Sequence, residues 1–94
     1  MSDKVDRAKA EILRIAQTIA PAARVEGIGT RDIFSCTIIV PTDSEKERIN
    51  SDSALLDEMK AAAAVVGREP DYLTAESQET VDRRHGGNWN HVFR

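Results

Sequence analysis

The sequence predicts an α+β fold, a two-layer sandwich with the order helix, strand, strand, helix, strand, short helix and tail. Apolar residues recur at helical spacing near the N-terminus, and a nine-residue segment rich in β-branched residues follows a short turn. The two long helices are expected on one face of a three- or four-stranded, mainly antiparallel sheet. At 94 residues, the chain is expected to form a single α+β domain over residues 1–94.

The first predicted element is a helix from Ser2 to Ala20. Ser2 or Asp3 can accept a hydrogen bond from an unpaired backbone N–H at its start, and Pro21 ends it. Apolar residues spaced three and four apart give this helix one apolar face, which consists of Val5, Ala8, Ile12, Ile15 and Ile19.

Two strands are predicted next, from Ala23 to Thr30 and from Asp32 to Val40. The turn between them is short, so they are expected to form an antiparallel hairpin whose second strand is central in the sheet. Side chains alternate between the two faces of a strand. The face expected against the first helix is Phe34, Cys36, Ile38 and Val40, and the other face is Ile33, Ser35, Thr37 and Ile39.

After Pro41, Ser44 and Glu47 form a candidate capping box that opens a second helix. This helix is expected to weaken at residues 50–53 and to be strong only from Ser53 to Gly67. The connection has the length of a crossover, so parallel second and third strands are also compatible with the sequence.

The third strand is predicted over residues 72–76. Ser77 can cap a short last helix over residues 78–85, which two glycines end. Residues 88–94 are expected to form either an edge strand or a docked tail.

Composition excludes several functional classes. A formal net charge of -3 weighs against nucleic-acid binding, which depends on neutralising phosphates. Runs without charge or proline, such as Ala61 to Gly67, are far shorter than the about 20 apolar residues of a membrane span, so no membrane association is expected. The single Cys36 and the absence of a signal-like apolar stretch predict a cytoplasmic protein.

The core is expected to be thin, because twelve of the apolar residues are alanine. So small a chain has few bulky side chains with which to seal an interior. A homodimer that shares apolar surface between two copies is therefore expected.

The C-terminal segment, residues 76–94, concentrates the recognition chemistry of the chain. Residues 83–94 carry three basic groups and no acidic group, whereas residues 43–82 carry four and eleven. Arginine binds carboxylate or phosphate, histidine transfers protons near neutral pH, and tryptophan stacks on planar ligands. The candidate ligand- or partner-binding residues are Glu76, Arg83, Arg84, His85, Asn88, Trp89, Asn90, His91 and Arg94. A structural alternative is that Trp89, Val92 and Phe93 cover the sheet edge or join a second subunit.

Other motifs are interpreted as structural. Gly27 and Gly29 do not make a phosphate loop, because a strand follows them instead of a helix. Cys36 is centred in an apolar strand and is expected to be an inert core thiol. The two histidines lack a second cysteine at zinc-site spacing, so neither a metal nor a cofactor is expected.

The sequence favours a small, dimeric binding or regulatory module over an enzyme, with the C-terminal segment as its recognition surface and an anionic small molecule or a protein as its partner. The alternative is an acid–base enzyme at a dimer interface. It would use His85 or His91 with Glu76 and hold an anionic substrate through Arg83 or Arg84. A third hypothesis is nucleic-acid binding through the same arginines.

Overall fold

The computed structural model of the chain describes residues 3–85, with His85 represented by its backbone alone. The described part contains four helices and three strands, which confirms the α+β class. In chain order the elements are α1 (Asp3–Ala16), β1 (Arg24–Gly29), β2 (Phe34–Val40), α2 (Asp43–Asn50), α3 (Ser53–Val66), β3 (Tyr72–Ser77) and α4 (Gln78–His85).

The three strands form one mixed sheet in the order β1-β2-β3, with β2 central as predicted. β1 pairs with β2 antiparallel, and β3 pairs with β2 parallel. The expectation of a mainly antiparallel sheet is therefore wrong in detail, and the parallel alternative describes β3. The physical reason is the long connection through α2 and α3, which returns the chain to the starting end of β2.

The hydrophobic core lies between the helices and one face of β2. Its strand residues are Phe34, Cys36, Ile38 and Val40, each at most 1% exposed, so the predicted buried face is confirmed. The apolar face of α1 packs in the same cluster, together with Ile49 of α2 and Met59 of α3. The residues that α1 contributes to the cluster are Val5, Ala8, Ile12, Ile15 and Ala16.

The first helix ends at Ala16 and not at Ala20. The Thr18 hydroxyl donates to the carbonyl of Ile15 at 2.6 Å, and the next backbone bonds include the tighter i,i+3 type. Pro21 disfavours a helical conformation at Ala20, so the chain turns before it. Ala20 remains buried in the core.

The second helical region is two helices, separated at the weak segment that the sequence indicates. The capping box is formed by Thr42 and Glu45: the Thr42 hydroxyl accepts from the Glu45 N–H, and the Glu45 carboxylate accepts from the Thr42 N–H. The predicted pair Ser44 and Glu47 is wrong, because α2 begins two residues earlier. Asp52 caps α3 by accepting from the N–H of Leu55 at 3.0 Å.

Candidate functional site

The carboxyl ends of β2 and β3 lie at the same end of the sheet because these two strands are parallel. α2 and α4 both begin there, immediately after their strands. Ligands of open α/β sheets bind outside the carboxyl ends of the strands, so this end is a natural place for a site.

Asp43 is the centre of a polar cluster at this end. Its carboxylate accepts hydrogen bonds from the hydroxyl of Ser77, from the hydroxyl of Thr80 at 2.8 Å and from the guanidinium of Arg83 at 2.9 Å. The Ser77 hydroxyl accepts from the Thr80 N–H at 3.0 Å, so Ser77 caps α4 as predicted. The Asp43 carboxylate thereby lies beside the first turn of α4 and contacts it through side chains.

The same contacts set the protonation of Asp43. The hydrogen bonds from Ser77, Thr80 and Arg83, in that order, lower the pKa of Asp43 from 3.8 to about 2, although partial burial of the carboxylate opposes them. Asp43 is therefore ionised at neutral pH, and its carboxylate is held by hydrogen bonds from the same chain.

Glu76 is the second carboxylate at this end of the sheet. It lies 3.2 Å from the ammonium of Lys46 and 3.7 Å from the guanidinium of Arg84. Burial raises the pKa of Glu76, but the Ser77 N–H, Lys46 and Arg84 together outweigh this effect and the net pKa is lowered. Glu76 is consequently a weak proton acceptor near neutral pH.

Of the predicted site residues, Glu76, Arg83 and Arg84 are brought together at the strand ends. Each of the two arginines contacts a carboxylate of the same chain, Arg83 with Asp43 and Arg84 with Glu76. His85 is described by its backbone alone, so the pairing of His85 with Glu76 lies outside the described atoms. The remaining predicted residues, Asn88, Trp89, Asn90, His91 and Arg94, lie outside the described residues.

The sheet face opposite the helices carries an exposed apolar patch. Ile28 of β1, Ser35 of β2 and Tyr72 of β3 are register partners and form one row across the sheet. Ile28 and Tyr72 are each 64% exposed, and Ile33, just before β2, is 48% exposed. We call this surface the open face; it consists of Glu26, Ile28, Ile33, Ser35, Thr37, Tyr72 and Thr74.

α4 covers the other end of the same sheet face. Ile39 shares the alternation of Ser35 but is only 2% exposed, and Val81 of α4 is 3% exposed. Arg24, the register partner of Ile39, donates to the Gln78 side chain at 2.9 Å. The covered end and the open face are thus two parts of one continuous surface.

The two edges of the sheet differ. At the β3 edge, the Asn50 side chain accepts from the Ala75 N–H at 2.9 Å and donates to the Ala75 carbonyl at 3.0 Å, as a neighbouring strand would. At the β1 edge, none of the described hydrogen bonds reaches the outward backbone groups of Val25, Gly27 and Gly29. Within residues 3–85, the sheet is therefore closed on one side and open on the other.

Sequence reasoning missed both Asp43 and the open face. Asp43 is 40 residues from Arg83 along the chain, so no local pattern indicates their contact. The open face had a partial signal, because Ile33, Ser35, Thr37 and Ile39 form a strand face that is only half apolar. What the sequence did not indicate was that Ile28 and Tyr72 extend this face in register.

A second apolar surface lies between α1 and α3. This groove has a volume of about 380 Å³ and contains Val65, which is 84% exposed. Its lining also includes Arg7 and Glu11, so both signs of charge border it.

Cys36 has the properties of a core thiol. It is 1% exposed, and burial raises its pKa to about 12, so the reactive thiolate is scarce at neutral pH. Among the described residues, no group of three or more His, Cys, Asp or Glu side chains is arranged to hold a metal ion. Within residues 3–85, the helices are too short or too polar to cross a membrane.

No family model, curated protein or solved structure matches the chain.

Proposed function

We propose that the protein is a small cytoplasmic binding module that recognises an aromatic, apolar protein segment on its open face. In this proposal the fold is the two-layer sandwich expected from the sequence, in which the long helices cover one face of the sheet and α4 leaves part of the other face for recognition. The C-terminal segment, residues 86–94, is the resident occupant of this surface, and a partner of similar composition competes with it.

The observation that carries the proposal is the contiguous exposure of Ile28, Ile33 and Tyr72. An aromatic side chain alone presents about 150–250 Å², so the three together present an apolar patch on the order of 300–400 Å². Patches of this size on soluble proteins are often functional, whereas single exposed apolar residues are ordinary. The flanking hydroxyls of Ser35, Thr37 and Thr74 supply polar contacts beside the patch.

Three properties of the chain favour residues 86–94 as the occupant. The segment contains Trp89, Val92 and Phe93, which match the apolar chemistry of the patch. It follows α4 directly, and α4 already covers one end of this face. The distance is also short enough: the row of Ser35 lies four residues, about 13 Å, along the strand from the covered row of Ile39, whereas nine extended residues span about 30 Å.

The charges at the strand ends support binding over catalysis. Asp43 and Glu76 have lowered pKa values and are held by cations of the same chain. A general base works best with a pKa near the operating pH, and an anion-binding arginine needs a free guanidinium face. In the acid–base hypothesis and in the nucleic-acid hypothesis, the anionic ligand would compete for Arg83 or Arg84 with the carboxylate that already contacts it.

Trp89 fluorescence in the full chain tests this proposal, because Trp89 is the single tryptophan. Ile28→Glu places a charge in the patch without disturbing the core, since Ile28 is 64% exposed. We expect this variant to shift Trp89 emission to longer wavelength and to increase its quenching by acrylamide. The matched control is Val65→Glu, on the opposite side of the molecule, which should leave both unchanged.

The same emission spectrum and quenching in wild type and in Ile28→Glu would contradict the proposal. Equal changes in both variants would also contradict it, because they would reflect a general effect of added charge. Circular dichroism melting of each variant verifies that the fold is retained.

A further inference from the structure

We propose that the open edge of β1 binds the β1 strand of a second copy, antiparallel, so that two chains share one six-stranded sheet. This pairing deepens the proposed function, on which it rests in one respect. In the joined sheet, the two open faces lie side by side on the same surface. The edge of β1 recognises the backbone N–H and C=O groups of an extended strand.

The direction of each backbone group in β1 follows from the hairpin. The Thr30 N–H donates to the Ile33 carbonyl at 2.7 Å, which makes this a hydrogen-bonded pair. Hydrogen-bonded and non-hydrogen-bonded pairs alternate along an antiparallel ladder. Ile28, Glu26 and Arg24 are therefore the residues that bond to β2, and the N–H and C=O groups of Val25, Gly27 and Gly29 point outward.

The outward groups of β1 are suited to accept a strand. Val25, Gly27 and Gly29 are each partly exposed, and β1 contains no proline. The opposite edge, β3, already has the Asn50 side chain on the outward groups of Ala75. Within the described residues, β1 is thus the edge where strand addition adds hydrogen bonds without displacing any.

Symmetric registers that bring outward groups opposite each other have their dyad at one of the residues 25–29. A dyad at Ile28 or Gly29 would leave Val25 opposite residues beyond the end of β1, and two of the other three registers conflict with the structure. A dyad at Val25 would use the backbone of Ala23, whose N–H already bonds Ala20 and whose carbonyl already accepts from Gln17. A dyad at Glu26 would place two glutamates directly opposite each other, which is destabilising.

The remaining register has its dyad at Gly27. It pairs Gly27 with its symmetry mate and Val25 with Gly29 of the second copy, so all the outward groups of β1 are bonded. On the open face, Glu26 then lies opposite Ile28 of the second copy. The absence of a side chain at Gly27 leaves the dyad unobstructed.

Disulfide trapping tests both the pairing and its register. Glu26→Cys and Ile28→Cys, prepared separately, should cross-link only when mixed under a glutathione redox buffer, because residues 26 and 28 would be a direct pair with Cα atoms about 4.5 Å apart. Each variant alone should not cross-link, because the Cα atoms of residues offset by two positions are about 7–8 Å apart, beyond the reach of a disulfide. The native Cys36 does not interfere, because it is buried with a pKa of about 12.

Amide exchange of the wild-type chain gives a second measurement that needs no variant. At high concentration the Val25, Gly27 and Gly29 amides should become protected, while the exposed turn amide of Arg31 should not. A monomeric mass by light scattering at about 100 μM, or cross-linking of either single variant alone, would overturn the proposal. These outcomes are independent of Trp89 accessibility, so failure of the dimer and failure of the open-face proposal are distinguishable.

Discussion

Replacing Asn50 with alanine removes the side chain that closes the outer edge of β3. In the wild-type chain the Asn50 amide both donates to and accepts from the backbone of Ala75, at 3.0 and 2.9 Å. Alanine keeps the helical conformation of α2 but leaves both backbone groups without a protein partner. The perturbation is therefore confined to β3: it removes these two backbone hydrogen bonds and a long one, at 3.4 Å, that the Thr74 hydroxyl donates to Asn50 Oδ1.

The expected loss follows from these two bonds. Each intramolecular hydrogen bond contributes about 0.5–1.5 kcal/mol net, so removing both costs about 2 kcal/mol of unfolding free energy. For a domain of this size, 1 kcal/mol corresponds to about 4–8 °C in Tm, which predicts a Tm lower by about 8–16 °C. Ala75 itself is 3% exposed, so water reaches its backbone poorly and the loss is not fully recovered.

The assay is thermal unfolding by circular dichroism, together with amide exchange of Ala75 by NMR. The Ala75 amide should lose its protection in Asn50→Ala. Asn50→Asp is nearly isosteric and retains an acceptor for the Ala75 N–H but has no donor for its carbonyl, so it should also be destabilised at neutral pH. Glu47→Ala, an exposed change on the same helix, should stay within about 0.5 kcal/mol of wild type.

Two results would refute this reasoning. One is an Asn50→Ala variant whose Tm lies within about 2 °C of wild type, which would mean that Asn50 does not stabilise β3. The other is an Ala75 amide that stays protected in the variant.

Three further predictions concern the polar cluster, the core thiol and a close backbone contact. The pKa of Asp43 is lowered to about 2, so its ionised form stabilises the fold above pH 3.8, and this contribution is lost as pH falls through about 2. Asp43→Asn lacks this titration and should therefore flatten the acid-unfolding curve between about pH 4 and pH 2. Cys36 should react with a thiol reagent only after unfolding, as followed by mass spectrometry, and rapid native labelling would show that it is not buried. Gly67→Ala should lower the denaturant midpoint by the equivalent of about 1–3 kcal/mol, because its added Cβ would lie 2.0 Å from the carbonyl oxygen of Lys4; an unchanged midpoint would contradict this.

Local periodicity predicted the elements that local chemistry determines. The apolar spacing of α1 and the buried face of β2 were correct because each depends on residues within one element. The break between α2 and α3 was also indicated, since residues 50–53 are poor helix formers and Asp52 is a good cap.

What the sequence could not predict depends on long-range partners or on a choice between equal local signals. Thr42 with Glu45 and Ser44 with Glu47 both fit the capping-box spacing, and the choice depends on where β2 ends. The direction of β3 depends on the path of two intervening helices, which no short pattern encodes. The partners of the predicted site arginines are similarly remote in sequence.

The charged residues that drew attention in the sequence are largely used within the fold. Arg83 binds Asp43 and Arg84 lies beside Glu76, so an anionic ligand at the strand ends would compete with a carboxylate of the same chain for each guanidinium. The open face imposes no such cost, because covering Ile28 and Tyr72 removes apolar surface from water and breaks no hydrogen bond seen among the described residues. This comparison favours the proposal that the open face is the recognition surface, with Arg83 and Arg84 holding α4 beside it.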